Sequence, residues 1–314
     1  MAQLLERRRQ RETAEPSSVP GYRPILKWAG GKARLVPAIL ARLPSRIGTY
    51  HEPFVGGAAV FFALAGERRF RRAVLSDLNR DLVDVYRGVQ SDVERVIRRL
   101  EEYRKRHDRE TYYETRALDP SQLDLVERAA RLIYLNKTGY NGLYRVNRAG
   151  QFNVPFGRYE NPPICDAERL RAAAQALAPR RVSLEVADFD AVTERARRGD
   201  AVYLDPPYVP LSTTANFTAY HSEAFGKEAH QRLAETLAQL TRSRVSAVLS
   251  NSDTRWTRRL YDRELFQIDR VLVTRPINSK AIARGNVAEL LVSNLLGVEA
   301  DAVPRRRSSR SRAK

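Results

Sequence analysis

The chain holds a single cysteine, Cys165, in 314 residues. One thiol excludes an internal disulfide framework and suits a reducing compartment, so a cytoplasmic, nucleoid-associated location is expected. Long apolar runs are also missing. None approaches the roughly 18 residues of a membrane span, and the early residues Glu6, Arg7, Arg8, Arg9 and Arg11 are charged rather than signal-like. A membrane is therefore not an expected partner, and no obligate protein partner is evident. No G-x-G-x-x-G follows a strand pattern, which argues against a pyrophosphate-bearing dinucleotide. No metal site is expected. Acidic residues are scarce beside basic ones, 37 against 55, which leaves a formal net charge of +18.

The basic excess runs through the body of the chain. Residues 1–20 carry four Arg against three Glu, and residues 301–314 carry five Arg and one Lys against one Asp, so +12 of the +18 lies between them. A polyanion is the expected partner, with binding that weakens steeply as salt rises. Hydrophobic residues make up 43% of the chain, enough for a full core. The length predicts one large α/β domain, or one domain with a sizeable insertion.

One stretch organises the rest. The apolar run Ala201-Val202-Tyr203-Leu204 ends in Asp205-Pro206-Pro207-Tyr208. Proline donates no N–H and fixes its own φ, so a strand here must leave the sheet at the carboxylate. Carbonyls near Pro206 and Pro207 then face ligand or solvent, beside the flat ring of Tyr208. These groups suit methylation of an exocyclic amine on a base. That amine's lone pair is delocalised into its ring. A carboxylate and a main-chain carbonyl holding its hydrogens pull the nitrogen towards tetrahedral geometry, and stacking fixes the line of attack. An ordinary Asp-Pro turn with a surface tyrosine is the competing reading of these four residues alone.

Upstream, Lys27-Trp28-Ala29-Gly30-Gly31-Lys32 reads as a loop where backbone approaches a ligand, or as a capped turn into a helix marked by Leu35, Val36, Ile39, Leu40 and Leu43. Tyr50 to Ala58 reads as a strand and a tight glycine turn, with a helix following through Phe61, Phe62 and Leu64. The strand Ala73–Ser76 ends at Asp77, twenty positions after Gly57. In doubly wound folds an acid at that distance holds ribose hydroxyls; a helix N-cap is the alternative. Without a phosphate cradle, a nucleoside such as S-adenosylmethionine fits best. Asp188-Phe189 after the strand 181–186 is open to the same two readings, an adenine clasp or a cap.

Helical patterns cover 92–106, 122–137 and 166–177. Between them, residues 138–159 lose all periodicity and interleave aromatics and arginines with glycine turns. Exposed rings and guanidiniums on loops serve base stacking and base-edge hydrogen bonding, with a purely structural hairpin as the alternative. Residues 209–225 form a polar loop too long for a plain strand-to-helix connection. A helix at 227–240, a strand at 245–250, and two strands at 266–273 and 288–295 complete the sheet pattern.

Lys-Trp-Ala-Gly-Gly-Lys at 27–32, Glu-Pro-Phe-Val-Gly at 52–56, Tyr-Asn-Gly-Leu-Tyr-Arg at 140–145, Phe-Asn-Val-Pro-Phe-Gly-Arg-Tyr at 152–159 and Asp-Pro-Pro-Tyr at 205–208 occur in one order. That order resembles the Dam-type DNA adenine methyltransferases, which methylate N6 of adenine in GATC; Ala215 to His221 also looks like their loop after the catalytic motif. The resemblance runs from about residue 24 to 296. It implies an α/β fold: a doubly wound, mostly parallel, Rossmann-like methyltransferase sheet with a terminal antiparallel hairpin and an inserted, mainly helical target-recognition domain. The implied organisation is a flexible leader (1–20), a catalytic domain that binds S-adenosylmethionine (21–90 and 180–298), a target-recognition insertion (91–179) with a DNA-reading hairpin (138–160), and a basic tail (299–314).

By matched position the resemblance implies that Asp205, Pro206, Pro207 and Tyr208 carry catalysis. Trp28, Lys32, Phe54, Gly56, Asp77, Asp188, Phe189 and Asp205 would hold S-adenosylmethionine. Lys27, Tyr140, Asn141, Leu143, Arg145, Pro155 and Tyr159 would meet double-stranded DNA. The sequence departs from the family where Ala58 replaces the last glycine of the cofactor loop, and in the basic loop Asn278–Asn286. Ala58 is small, so cofactor binding is expected to survive, though weakened. N4-cytosine methylation uses similar chemistry, but an acid at the head of the motif favours adenine. C5-cytosine chemistry needs an attacking Cys, and Cys165 stands in no catalytic context. A non-catalytic DNA-binding protein on the same fold is the reading from another class; Asp205, Asp77 and Trp28 argue against it.

Overall fold

The computed structural model describes residues 22–210, 225–262, 264–274 and 286–294. The expected leader, tail, most of the loop 209–225 and the loop 278–286 lie outside these. Among the described residues, the strands β1 (Ile47–Glu52), β2 (Phe70–Asp77), β3 (Val182–Val186), β4 (Ala201–Leu204), β5 (Ser246–Ser252), β6 (Phe266–Thr274) and β7 (Asn286–Asn294) form one sheet. Its order is β3-β2-β1-β4-β5-β7-β6. The first five strands in that order run parallel, and β7 is antiparallel to both β5 and β6. This is the expected mostly parallel sheet with a terminal antiparallel hairpin.

All four residues of β4 are buried. Ala201 and Tyr203 pack into one core, with Tyr50, Leu75 and Val248, while Val202 and Leu204 pack into the other, with Leu233, Leu237 and Leu249. A strand covered on both faces needs an unbroken apolar run, which is why Ala201–Leu204 shows no alternation. The strand order reverses direction between β1 and β4. At such a switch point the loops diverge to opposite faces and leave a crevice at the strands' carboxyl ends.

Helices α1 (Val36–Leu40), α2 (Ala59–Gly66) and α3 (Arg80–Ser91) alternate with the first strands. Between β2 and β3 the chain then adds α4 (Val93–Lys105), α5 (Arg109–Ala117), α6 (Leu125–Thr138) and α7 (Ala167–Ala176). Each helix from α3 to α7 begins at a capping side chain: Asn79, Asp92, Asp108, Asp124 and Asp166 each accept a first-turn N–H. Such caps stabilise a helix start by about 1 kcal/mol each. The helix expected from Gln122 starts instead at Leu125, because Asp124 and Glu127 form a reciprocal capping box. Helix α5 escapes the sequence reading because Arg109–Ala117 shows little apolar repeat; its anchor is the fully buried Tyr112. Helices α3 and α6 pack closely at Gly88, where a Cβ would meet Ala129 Cβ at 2.5 Å. Beyond β3 lie α8 (Val192–Arg195), α9 (Lys227–Arg242) and α10 (Arg255–Tyr261). No helix among the described residues is long and apolar enough to cross a membrane.

The expected hairpin is not a ladder. Only two isolated antiparallel bridges, Gly139 with Phe156 and Val146 with Phe152, join its arms. Ala58, the departure in the cofactor loop, takes the left-handed conformation at φ 56 as the residue before α2. That costs an alanine about 1 kcal/mol or more relative to glycine. Its burial and an N–H bond to Val55 O at 2.6 Å hold it there.

Glu52 ends β1 inside the protein, 3% exposed. Its Oε2 accepts from Tyr50 OH at 2.9 Å and from Phe61 N–H at 3.1 Å. Burial, with a smaller push from Asp205, raises its carboxyl to about 8. A raised folded pKa gives stability that is whole below the unfolded value near 4.5 and lost as pH rises through about 8. Within that window the group contributes a loss of about 1.4 kcal/mol per pH unit. Glu52→Gln keeps size and acceptor, so its stability relative to the parent should rise steadily from pH 5 to pH 8. Urea unfolding across that range checks this; a constant difference between the two proteins would show that Glu52 is not a neutral buried acid.

Candidate active site at the carboxyl ends of β1 and β4

Asp205 leaves the end of β4 and meets two donors. Lys32 Nζ lies 2.9 Å from its Oδ1, and Ser250 Oγ donates to the same oxygen at 2.9 Å. Ser250 Oγ in turn lies 2.8 Å from Tyr203 OH. Oδ2 has no protein partner among the described residues, and the side chain stays 19% exposed. Pro206 is buried and Pro207 exposed, and no described donor takes the Pro206 carbonyl. Thus one carboxylate oxygen is fixed by two donors, and the other is left without a protein partner among the described residues. Burial raises the Asp205 carboxyl above its usual range, opposed chiefly by the Lys32 charge.

Lys32 reaches further than the sequence indicates. Its ammonium also donates to Gly30 O at 2.6 Å and stands 4.4 Å from the centre of the Tyr208 ring. Tyr208 OH donates to Glu289 Oε2 at 2.8 Å. The chain beyond is tied by Val209 N–H to Asn251 Oδ1 at 3.2 Å. Ser250, Asn251 and Glu289 were missed from sequence. The only trace of the first two is a polar pair closing the apolar run Ala247-Val248-Leu249.

A second cluster lies at the ends of β1, β2 and β3. Asp77 Oδ2 accepts Gly56 N–H at 3.3 Å and Oδ1 accepts Asn79 N–H at 3.0 Å. Asn79, not Asp77, caps α3, so the cap reading of Asp77 is set aside. Its carboxyl is raised by burial, with those backbone donors opposing the shift. Leu78 beside it is 65% exposed, an apolar surface the sequence reading passed over. Trp28 stands against Gly56, where a Cβ would sit 3.2 Å from its Cδ1.

Phe54 stacks on Phe189 with ring centres 5.5 Å apart. Phe189 is only 3% exposed, with the Arg232 guanidinium 5.0 Å from its ring centre. It therefore offers a ligand its backbone rather than a ring face. Asp188 both bonds Phe189 N–H at 2.6 Å and pairs with Arg232 at 2.9 Å, so the capping alternative is realised there.

The third cluster is the loop 138–160. Tyr140 is 50% and Leu143 42% exposed; Asn141, Arg145 and Pro155 are exposed, and Tyr159 half-buried. Arg145 gives its Nε and one Nη2 hydrogen to Asn153, at 2.7 Å to Oδ1 and 3.1 Å to O. The Nη1 side of the fork projects free of that contact. Lys27 lies at the root of this loop, its ammonium 5.2 Å from the Tyr159 ring centre. Asn136 accepts Lys27 N–H at 2.9 Å and donates to Lys27 O at 2.8 Å and Gly142 O at 2.9 Å. Gly142 has φ +63, and a Cβ there would lie 2.8 Å from Lys27 Cδ. Cys165 stands apart, its thiol pushed up to about 12 by burial.

The model of the D12 class N6 adenine-specific DNA methyltransferases matches residues 28–276. The chain belongs to this class. It is similar to the Type II methyltransferase M1.LlaDCHI of Lactococcus lactis subsp. cremoris, 38% identical over 276 residues, covering 87% of this chain and 95% of that one. It is 39% identical over 282 residues to the DNA adenine methylase of Escherichia coli K12, covering 89% and 98%. The Type II methyltransferase M.MjaIII of Methanocaldococcus jannaschii is 39% identical over 289 residues, covering 87% and 99%. Class membership makes the protein an adenine-specific DNA methyltransferase, so DNA is its substrate and a methyl donor is required.

In such an enzyme the Lys32–Asp205 pair should set the acid limb of the rate profile. Lys32→Met removes the largest influence holding the Asp205 carboxyl down. The limb should move to higher pH, because a close opposite charge that favours the ionised form is lost. Single-turnover methylation from pH 5 to 9 reads this directly, and an unmoved limb would show that another group sets it.

Proposed function

We propose that this adenine-specific methyltransferase uses S-adenosylmethionine, acts on an adenine flipped out of double-stranded DNA, and selects GATC. The carrying observation is the asymmetry at Asp205: Oδ1 is held by Lys32 and Ser250, while Oδ2 and the carbonyl of the next residue, Pro206, are taken by no described donor. Those two acceptors take the two N6 hydrogens of the target, and Tyr208 stacks on its ring. Flipping is needed because the amine lies out of reach inside a duplex.

The donor set fits a nucleoside without phosphates. The ribose end meets a carboxylate, Asp77, whose oxygens are aimed by two backbone N–H groups. Trp28, Phe54, Gly56, Asp77, Asp188 and the Phe189 backbone would hold S-adenosylmethionine, with Lys32 and Asp205 at its reacting end. It supplies, when bound, a methyl on a sulfonium: the N6 lone pair forms the new N–C bond, the C–S pair returns to sulfur, and N6 sheds one proton. The protein's share is to fix the amine, keep its acceptors aimed and exclude water.

Segment 91–179 is the target-recognition insertion, and its loop 138–160 does the reading. Arg145 presents a fork suited to guanine O6 and N7, Leu143 an apolar tip suited to a thymine methyl, and Tyr140 a wedge where adenine leaves the helix. Lys27, beside the cofactor loop, would anchor the first guanine. The similarity to Dam-type enzymes supports GATC as the site.

Two measurements test this reading. Asp205→Ala should leave cofactor and DNA affinity within about tenfold while turnover falls by orders of magnitude, because its bond strengthens only as the amine pyramidalises. Near-normal methylation of unmethylated plasmid by that variant would overturn the site. Arg145→Ala should relax discrimination at one base pair by about 1–3 kcal/mol and leave the salt dependence of binding almost unchanged. Single-base mapping of methylated adenines gives the motif. A motif other than GATC, or equal weakening at every sequence, would make Arg145 a backbone clamp.

A further inference from the structure

Glu289 lies on β7, opposite Ser252 of β5 in the antiparallel register, remote in sequence from every motif above. Its Oε2 accepts the Tyr208 hydroxyl at 2.8 Å. Tyr208 is also held at its ring by Lys32 Nζ, 4.4 Å from the centroid, and at the next residue by Asn251. None of the described rings packs against it, so its aromatic surface is not spent on the core. Two contacts thus hold the side chain and a third holds the backbone just after it; at the hydroxyl end Glu289 is the acceptor, with the Ser250 hydroxyl also in reach. A tyrosine ring turns about two side-chain bonds, and a carboxylate on its far tip is the strongest lever against that turning.

On the reading that Tyr208 stacks on the target base, we propose that Glu289 is a positioning residue for methyl transfer, acting through the Tyr208 hydroxyl to hold the ring in the plane the base must share. The antiparallel hairpin β6–β7 then serves the active site as well as closing the sheet. The chemistry is unchanged: the N–C bond forms as the C–S bond breaks, and one proton leaves N6. Glu289 touches none of these atoms.

A double-mutant cycle with Tyr208→Phe, which keeps the ring and deletes the hydroxyl, tests the route of action. Single-turnover rates are measured on an unmethylated duplex with saturating S-adenosylmethionine, alongside DNA affinity and thermal unfolding. Glu289→Leu should slow transfer by roughly 10- to 100-fold, the scale set by misplacing a reacting group, with DNA affinity within about threefold. Glu289→Gln, which keeps an acceptor, should recover most of the rate. In the Tyr208→Phe background neither Glu289 substitution should slow transfer further. With 2-aminopurine at the target position, Glu289→Leu should brighten the bound complex as stacking is lost.

Full rate in Glu289→Leu, or losses that multiply in the double variant, would overturn the proposal. If the leucine variant does not fold, Glu289→Gln in both Tyr208 backgrounds still decides, since a loss persisting without the hydroxyl rules out action through it. Asp205→Asn is the control for the underlying reading. Transfer lost there but untouched in the Glu289 variants defeats the inference alone, whereas transfer surviving in Asp205→Asn defeats the site.

Discussion

A carboxylate at the end of a strand buried on both faces needs a counter-charge, and Lys32 supplies it. The two groups stand 2.9 Å apart, with the Lys32 side chain 9% exposed and that of Asp205 19% exposed. Removing one partner would strand the other charge in a poorly hydrated place, which costs far more than an exposed pair is worth. Lys32 arrives from a loop well upstream, so that loop must be held in place. Trp28 lies against Gly56 on one side and Tyr144 on the other, 5.3 Å between ring centres. Asn136 ties the backbone of Lys27 to that of Gly142. Asp205, the loop 27–32, the turn at Gly56 and the root of the loop 138–160 are consequently one connected unit. Placing the first constrains the others.

The same economy of charge explains the neighbouring acid. Glu52 and Asp205 end adjacent strands, β1 and β4, and Asp205 adds to the upward push that burial exerts on the Glu52 carboxyl. Only Asp205 has a cation. Glu52 has a phenol and a backbone N–H, which suit a neutral acid as well as a charged one. Two carboxylates sharing one cation would repel, and the burial of Glu52 resolves the conflict by keeping its proton. A neutral Glu52 adds no negative charge behind Asp205, where the proposed amine binds.

Much of this was legible in the sequence because it rests on local rules. The proline pair after Leu204 fixes where β4 stops, and the spacing from Gly57 to Asp77 marks a loop and an acid on adjacent strands. The class itself was legible from five motifs in order, and the match over residues 28–276 agrees. What stayed hidden depends on long-range pairing. Glu289 is one acid in a strand pattern until the register of β5 and β7 carries it towards Tyr208. Asn136 reads as one more polar residue in a helix until it is found bonded to residues 27 and 142. Phe189 reads as a ring available for stacking, and only the approach of Phe54 and Arg232 closes it. Arg109–Ala117 was passed over as a helix because its anchor is a single tyrosine rather than an apolar stripe.

The loop 138–160, the proposed reading element, combines a rigid base with little regular structure of its own. Its arms share two bridges rather than a ladder, with cross-arm bonds such as Tyr140 N–H to Pro155 O and Arg145 to Asn153. Such a loop would be a poor ruler if it were anchored weakly. Here Tyr112 OH, from α5, bonds Val154 O at 3.0 Å, Arg116 reaches the same carbonyl at 3.2 Å, and Tyr144 OH reaches Asp81 at 2.9 Å. These anchors hold the loop at Tyr144 and Val154, while Tyr140, Leu143 and Arg145 stay exposed. Arg145 is further restrained because Asn153 takes one edge of its guanidinium. A fork held along one edge loses less freedom on meeting a base than a free arginine would. On the proposed reading, the helical insertion contributes to recognition by stiffness: its helices, each started by its own cap, hold the loop that would face DNA.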